Sequence, residues 1–211
     1  MLENLFKMLD EYRSRVTDYV DGEFIAQKQM DLGVKFPQSM VEFYTHFGND
    51  TEVLSAFYLF DKVEDIKIEY DAIVFGEKHE GMGRLGIKNE DLNAKYPTAC
   101  WYSYDMKEWY VEEGVSFVFF FGIACWQVLN AMPTIARVRL AKDEFEKLVG
   151  KELKYLSDEK ILILGDVIPV LGKDVLGCYL SSNEELYLGT TKDDVVLEDY
   201  EKRLGLDLDW L

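Results

Sequence analysis

The chain has 211 residues, of which 40 are acidic and 23 are basic, so its formal net charge is −17. Such a charge repels phosphate backbones and anionic lipid and speeds association with a basic partner, so direct binding to nucleic acid or to a membrane is disfavoured. A hydrophobic content of 48% with only four prolines excludes a disordered chain and predicts a real core. The alternative explanation of the charge is that acidity keeps a cytoplasmic protein in solution.

The cysteines Cys100, Cys125 and Cys178 are widely separated and form no C-x-x-C pair. Neither a disulfide framework nor a zinc knuckle is indicated, so we expect three buried, reduced thiols in a cytoplasmic protein. The opening stretch MLENLFKMLDEYRSRV carries acids among its apolar residues, which argues against a cleaved signal peptide. The apolar run FVFFFGIACW, Phe117–Trp126, falls well short of the roughly 20 residues of a membrane span, so it predicts a buried helix.

Two helices are predicted near the N-terminus. Apolar residues recur at helical spacing through residues 2–16. A second helix is predicted in VKFPQSMVEFYTHFGND, where Pro37 suits the first helical position and apolar side chains share one face. Gly48 is expected to end this helix in the left-handed conformation.

Short strand-like runs follow from residue 53: VLSAFYLF, DAIVFG, GRLGIK, TACWYSY and EWYVEE. The segment CWYSYDMKEWYV predicts a hairpin with Asp105 to Glu108 as its loop, which would place Tyr104 opposite Trp109. Ser116 could then cap the buried helix, which we expect to run to about Asn130.

The remaining third of the chain predicts one more strand in TIARVRL and a helix in KDEFEKLVGKELKYL. Strands are expected in ILILGDVIPVLG, VLGCYLS and ELYLGT, and a charged helix at residues 192–204. We therefore expect an α+β core domain at residues 1–150, with a central, mostly antiparallel sheet flanked by helices. Residues 151–211 would form a strand-rich C-terminal extension packed on that core.

No motif predicts an active site. The segment GMGRLG, residues 81–86, has the spacing of a dinucleotide-binding loop, but Pro97 interrupts the long helix that such a loop requires, so a glycine-rich connection between paired strands is favoured. The histidines, His46 and His79, stand apart, and no metal site or cofactor is predicted. Glu112 and Glu113 are neighbours on a predicted strand and would point to opposite faces, which does not suit a catalytic pair.

The aromatic hairpin has two possible roles. Its five rings are Trp101, Tyr102, Tyr104, Trp109 and Tyr110. They could pack in the core, or they could form a recognition surface, because Tyr and Trp give a large contact area at a low cost in entropy. Stacking on nucleic-acid bases is a third use of such rings, but the scarcity of nearby Lys and Arg argues against it.

The order of three segments carries a family resemblance. These are FPQSMVEFYTHFGND, GRLGIKNEDLNAKYPTACWY and EWYVEEGVSFVFFFGIACW, which lie within residues 20–132. In this order they resemble the SUKH superfamily, which includes fungal cell-wall assembly regulators of the Smi/Knr type and bacterial immunity proteins. The resemblance implies an α+β domain, and its bacterial members bind and neutralise toxins, many of which are nucleases.

The resemblance and the charge together predict a non-enzymatic, cytoplasmic immunity protein of bacterial type that binds a basic toxin domain as its protein partner. The expected interface consists of the hairpin aromatics and nearby acids: Tyr102, Tyr104, Asp105, Glu108, Trp109, Tyr110, Glu112 and Glu113. An alternative is an intracellular regulatory scaffold of the same fold with no toxin partner. A further alternative is an enzyme whose site lies in the C-terminal section and uses His79, a cysteine or carboxylates.

Overall fold

A computed structural model describes residues 2–78, 81–95, 97–156 and 167–211, with the backbone alone at residues 112–114. The protein has an α+β fold, as predicted. Its described helices are α1 (Leu2–Leu9), α2 (Gly22–Leu32), α3 (Gln38–Phe47), α4 (Thr51–Ser55), α5 (Ser116–Asn130), α6 (Lys142–Leu148) and α7 (Val195–Leu204). Its described strands are β1 (Leu59–Phe60), β2 (Lys67–Glu69), β3 (Ala72–Lys78), β4 (Gly83–Lys88), β5 (Thr98–Ser103), β6 (Glu108–Val115), β7 (Thr134–Arg139), β8 (Lys154–Tyr155), β9 (Val167–Gly172), β10 (Val175–Leu180), β11 (Glu185–Thr190) and β12 (Asp209–Trp210).

The strands form two sheets. Sheet A has the order β1-β3-β4-β5-β6, and β2 pairs with β3 beside β1. Sheet B has the order β12-β7-β11-β10-β9-β8. All strand pairs in both sheets are antiparallel.

Helix α5 lies between the two sheets, which explains why its sequence is apolar on every side. On one side the ring of Phe120 lies 5.3 Å from Phe75 of β3 in sheet A. On the other side Trp126 lies 5.2 Å from Tyr187 of β11 in sheet B. The run Phe117–Trp126 is thus part of a buried helix, as predicted, and no helix in the described part of the chain is long and apolar enough to cross a membrane.

One polar side chain, Gln127, is fully buried in α5. Its Oε1 accepts the backbone N–H groups of Phe57 and Tyr58 at 2.9 and 3.0 Å. Its Nε2 donates to the carbonyls of Val53 and Tyr58 at 2.7 and 2.8 Å. Because all of these buried polar groups are paired, the glutamine fixes the chain after α4 on the central helix.

Sheet B is covered on both faces. Along β10, Leu176 and Cys178 face the cluster that contains α5, whereas Val175 and Tyr179 face a second cluster built with α6 and α7. The residues of this second cluster start in the sequence at β7 and include Phe145 of α6. The expected boundary at residue 150 therefore falls inside the sequence that builds sheet B and its helices. Residues 161–166 of the expected ILILGDVIPVLG strand lie outside the described residues.

Helix α3 forms where the sequence predicted it, with Pro37 just before its first residue. The expected left-handed cap at Gly48 is wrong, because its φ is −63°. The chain instead continues directly to Asp50, whose side chain accepts the N–H groups of Glu52 and Val53 and caps α4. A Cβ at Gly48 would lie 2.5 Å from the Tyr44 carbonyl oxygen, so close packing is what requires glycine there.

Candidate functional site: the outer face of sheet A

Sheet A turns one face towards the helices and the other away from them. Leu85, Ile87 and Ala99 belong to the core that contains α5. Side chains alternate along a strand, so the neighbouring positions point to the opposite face, which we call the outer face. The cross-strand pairs Glu77–Arg84, Arg84–Tyr102, Tyr102–Trp109, Gly86–Cys100 and Cys100–Val111 place the outer face at Glu77, Arg84, Gly86, Cys100, Tyr102, Trp109 and Val111.

Three aromatic side chains, Tyr70, Tyr102 and Trp109, form a cluster on this face, which we call the aromatic cluster. The rings of Tyr70 and Tyr102 stack with centroids 4.0 Å apart and planes 6° apart. Trp109 meets Tyr102 edge-on at 5.5 Å, and its indole N–H donates to the Tyr70 carbonyl at 2.9 Å. Gly86 makes room beneath them, since a Cβ there would lie 2.8 Å from the Trp109 ring.

Tyr70 reaches the cluster through a two-residue turn between β2 and β3. Glu69 pairs with Ala72, and the two residues between them, Tyr70 and Asp71, have φ angles of 52° and 59°. Positive φ at both central positions is the mark of a type I′ turn, which normally uses Asn and Gly. For a tyrosine this conformation costs about 1–2 kcal/mol, so the surrounding contacts must hold it in place.

Asn89 provides part of the stabilisation of this turn. Its backbone N–H donates to the Asp71 carbonyl at 3.0 Å, and its side-chain Nδ2 donates to Asp71 Oδ1 at 2.9 Å. These two hydrogen bonds, the stacking of Tyr70 on Tyr102 and the hydrogen bond from the Trp109 indole together fix the conformation of the turn. Tyr70 is nevertheless half exposed, at 49%.

Charged groups lie beside the aromatic cluster. Arg84 is buried and pairs with Glu77 at 3.1 Å and with Asp61. Burial raises the pKa of the Asp61 carboxyl, and the Arg84 guanidinium opposes that rise. Burial and the Glu77 carboxylate raise the pKa of the Tyr104 hydroxyl, and the Arg84 guanidinium opposes that rise.

The balance of these charges is negative. Lys67 pairs with Glu69 at 2.9 Å, and Arg84 pairs with two acids. Around the aromatic cluster the described carboxylates are those of Asp61, Glu69, Asp71 and Glu77. The described cations are Lys67, Arg84 and Lys88, and Lys88 pairs with Glu90 at 3.7 Å. Each of these three cations is paired with an acid, and the acids outnumber them.

The hairpin exists, but its predicted register is wrong. Ser103 pairs with Glu108 and Tyr102 with Trp109, so the loop is Tyr104 to Lys107 and Tyr104 lies in it. Ser103 sets this register, since its hydroxyl accepts the Met106 N–H at 3.2 Å and its carbonyl accepts the Lys107 N–H at 2.8 Å.

The eight expected interface residues are only partly brought together. Tyr102 and Trp109 share the outer face, and Tyr104 and Asp105 lie in the exposed loop at its end. Glu108 and Tyr110 belong to the opposite face, where the Tyr110 hydroxyl donates to Glu108 at 2.5 Å and its ring stacks on Trp101 at 5.2 Å. The side chains of Glu112 and Glu113 lie outside the described residues.

Sequence reasoning missed Tyr70. It lies 32 positions before Tyr102, at the end of a strand-like run that contains no glycine or asparagine turn signal. The usable signal was the pair of acids that flank Tyr70, Glu69 and Asp71, between two β-branched runs, which is compatible with a tight turn once both strands are recognised.

Other parts of the chain offer less chemistry. A cavity of about 600 Å³ lies between the starts of α3 and α5, where the Ser39 hydroxyl donates to the Ser116 hydroxyl at 3.1 Å. Burial raises the pKa of the Cys125 and Cys178 thiols, so both stay protonated and are poor nucleophiles. His46 pairs with Asp10 at 2.9 Å, and His79 lies outside the described residues.

Within the described ranges, no three His, Cys, Asp or Glu side chains are grouped as metal ligands would be. Comparisons of the chain with protein families, with curated proteins and with solved structures found no match.

Proposed function

We propose that this protein is a non-enzymatic immunity protein that binds a basic toxin domain and blocks it, and that the outer face of sheet A is its contact surface. The observation that carries the proposal is the aromatic cluster of Tyr70, Tyr102 and Trp109, which is partly exposed and bordered by carboxylates. Interfaces concentrate their binding energy in a few such aromatic residues.

The rigidity of the cluster favours binding. The three rings are fixed by stacking, by the indole hydrogen bond and by the turn at Tyr70, so little side-chain freedom remains to be lost when a partner docks. Since lost side-chain freedom lowers affinity by roughly 0.5–1.5 kcal/mol for each flexible residue, a pre-ordered surface binds more tightly for the same contact area.

The charge supports a basic partner. A net charge of −17 would accelerate encounter with a positively charged surface, and a nuclease domain that grips phosphates carries such a surface. The resemblance to the SUKH superfamily points to the same class of partner. An acidic, rigid surface of this kind would cover the phosphate-binding groove of the toxin and exclude its substrate.

The test is to mix this protein with the toxin domain encoded by the adjacent gene and to measure binding, toxin activity and the survival of cells that express both. We expect a stable complex, loss of toxin activity, and an association rate that falls as salt is raised. Failure to bind the toxin or to rescue the cells would refute the proposal.

A pair of tryptophan variants locates the surface. Trp109→Ala removes part of the aromatic cluster and should weaken binding by about 30-fold or more, as expected for an aromatic hot spot. Trp210→Ala is the matched control, because Trp210 is 42% exposed but belongs to β12 of sheet B. Equal effects of the two substitutions would show that the outer face of sheet A is not the contact surface.

A further inference from the structure

We infer that Tyr70 is the docking point for an arginine side chain of the partner, whose guanidinium stacks on the exposed face of the Tyr70 ring and binds the carboxylates of Glu69 and Asp71. The biological role of this site rests on the proposed function. The chemistry of the site, however, can be tested without any toxin.

The Tyr70 ring has one occupied face. Tyr102 lies parallel to it at 4.0 Å, and the residue is nevertheless 49% exposed. Since one face of the ring is covered by a parallel neighbour, the exposure falls on the other face and on the ring edge. The face of an aromatic ring carries negative charge density and attracts a cation placed over it.

Two carboxylates flank this ring in the sequence. Glu69 uses Oε1 to pair with Lys67, and Asp71 uses Oδ1 to accept from Asn89. The second oxygen of each carboxylate is left as an acceptor for an incoming donor. A cation over the Tyr70 ring would therefore meet the negative face of the ring and the carboxylates of its two neighbours in the chain.

The same chain contains an internal example of this arrangement. In α7 the guanidinium of Arg203 lies 4.7 Å above the ring of Tyr200 and donates from Nε to Asp199 at 2.8 Å. Asp199 directly precedes Tyr200, just as Glu69 directly precedes Tyr70. At Tyr200 the arginine comes from the same helix; among the described contacts of Tyr70, the ring partner is Tyr102 and no cation.

Arginine fits the site better than lysine. A guanidinium is flat, so it can stack on a ring and still direct its forked N–H groups to carboxylates in the same plane. It is also less strongly hydrated than an ammonium group and gives up less solvation on contact. The left-handed turn holds Tyr70 in position before binding, which removes an ordering cost.

The test uses N-acetyl-L-arginine methylamide and its lysine counterpart as probes, with the full chain observed by NMR. Saturable shifts are expected at the Tyr70 ring and at the Trp109 indole N–H, at millimolar concentrations of the arginine compound. We expect the arginine compound to bind about three- to fivefold more tightly than the lysine compound. Equal affinities, or shifts that avoid the aromatic cluster, would overturn the inference.

Tyr70→Asn separates binding from folding, because asparagine tolerates the left-handed conformation and suits a type I′ turn. We expect an unfolding midpoint within about 4 °C of the parent and at least fivefold weaker binding of the arginine compound. Phe24→Ala is the control, since Phe24 is 48% exposed on α2 and should leave binding unchanged. Unchanged binding in Tyr70→Asn would contradict the inference.

Two further variants decide the matter if Tyr70→Asn does not fold. Tyr70→Phe keeps the ring and should keep binding, whereas Glu69→Gln keeps the shape and should weaken binding by about threefold. The reverse pattern would exclude the site. Binding of the arginine compound without toxin inhibition would refute the proposed function alone, and toxin inhibition that is unaffected by Tyr70→Asn would refute this inference alone.

Discussion

The two sheets of this protein are covered in different ways. Sheet B has α5 on one face and the cluster of α6 and α7 on the other, so its strands β9 and β10 are buried on both sides. Among the residues that the structure describes, sheet A packs against helices on its inner face only, and its outer face carries its own aromatic side chains, chiefly Tyr70 and Trp109. A helix hides the strands beneath it completely, whereas this aromatic cover leaves its own outer surface in contact with solvent.

Under the proposed function, this difference should separate the residues that stabilise the fold from those that bind the partner. In the centre of sheet B, buried side chains such as Leu188 fill the space between layers. On the outer face of sheet A, the aromatic cluster packs over Gly86 through the Trp109 ring and also presents an exposed surface through Tyr70. Substitutions in sheet B should therefore change folding alone, whereas substitutions that disturb the aromatic cluster on the outer face should also change binding.

The largest expected effect comes from Leu188→Ala in β11, a fully buried residue of the second cluster. Removing its side chain leaves a cavity, which should lower the free energy of unfolding by about 3 kcal/mol and the midpoint by about 6–12 °C. Thermal and urea unfolding measure this loss. Binding of the arginine compound at saturating folded protein should not change, and a change there would break the distinction between the two sheets.

The next effect compares two central glycines. A Cβ at Gly86 would lie 2.8 Å from the Trp109 ring, and a Cβ at Gly177 of β10 would lie 2.9 Å from Val170. Each Gly→Ala change should lower the free energy of unfolding by about 1–3 kcal/mol through overpacking. Only Gly86→Ala should also weaken partner binding, because it displaces an indole of the aromatic cluster. Weakened binding in both variants, or in neither, would contradict this assignment.

A smaller loss of stability should appear on acidification, and it should arise in helix α3 rather than in either sheet. Burial lowers the pKa of His46 in α3 below its usual 6.5, although the hydrogen bond to Asp10 opposes this. The unfolded chain therefore takes up a proton at this position before the folded chain does. Its contribution to stability is complete above pH 6.5 and is lost as the pH falls below that value.

Unfolding midpoints at pH 7.5 and 5.5 measure this loss, with His46→Gln as the variant that cannot titrate. The parent should lose more stability than the variant over this interval. If the two proteins showed the same pH dependence, the buried histidine would not be the source of it.

The smallest expected effect is that of Val111→Thr, at a residue of β6 that is 65% exposed. Threonine is similar in shape and suits a strand, so the free energy of unfolding should change by less than about 0.5 kcal/mol. Chemical denaturation checks this value. A loss as large as that of Leu188→Ala would mean that the outer face contributes to stability as strongly as sheet B does.

Local patterns in the sequence predicted the elements that bury one continuous apolar surface. Helices α3 and α5 and the β5–β6 hairpin were found because apolar spacing and turn residues agree there. Helix α2 was missed because Ile25 is its only buried residue, although Asp21 at its start and Gly33 at its end are the usual caps.

Only part of the candidate site could be predicted from the sequence, and the reason differs from that for α2. Tyr102 and Trp109 were selected from the hairpin alone, but the face that each residue occupies depended on the register, which the Ser103 hydroxyl shifts. Tyr70 joins them through a tertiary contact across the sheet, and its turn uses residues that sequence rules do not associate with type I′ geometry. Such contacts appear only when both strands are placed in space.

The position of α5 also limits where the chain can be truncated or recombined with another sequence. Helix α5 has sheet A against one side and sheet B against the other. A fragment of the protein that ends near residue 150 would therefore expose much of one side of this apolar helix to water. Both sheets pack on the same helix, so a recombination point inside sheet B should expose apolar surface and yield proteins that aggregate. The C-terminal section therefore completes the burial of the helix on which the sheet with the aromatic cluster also packs.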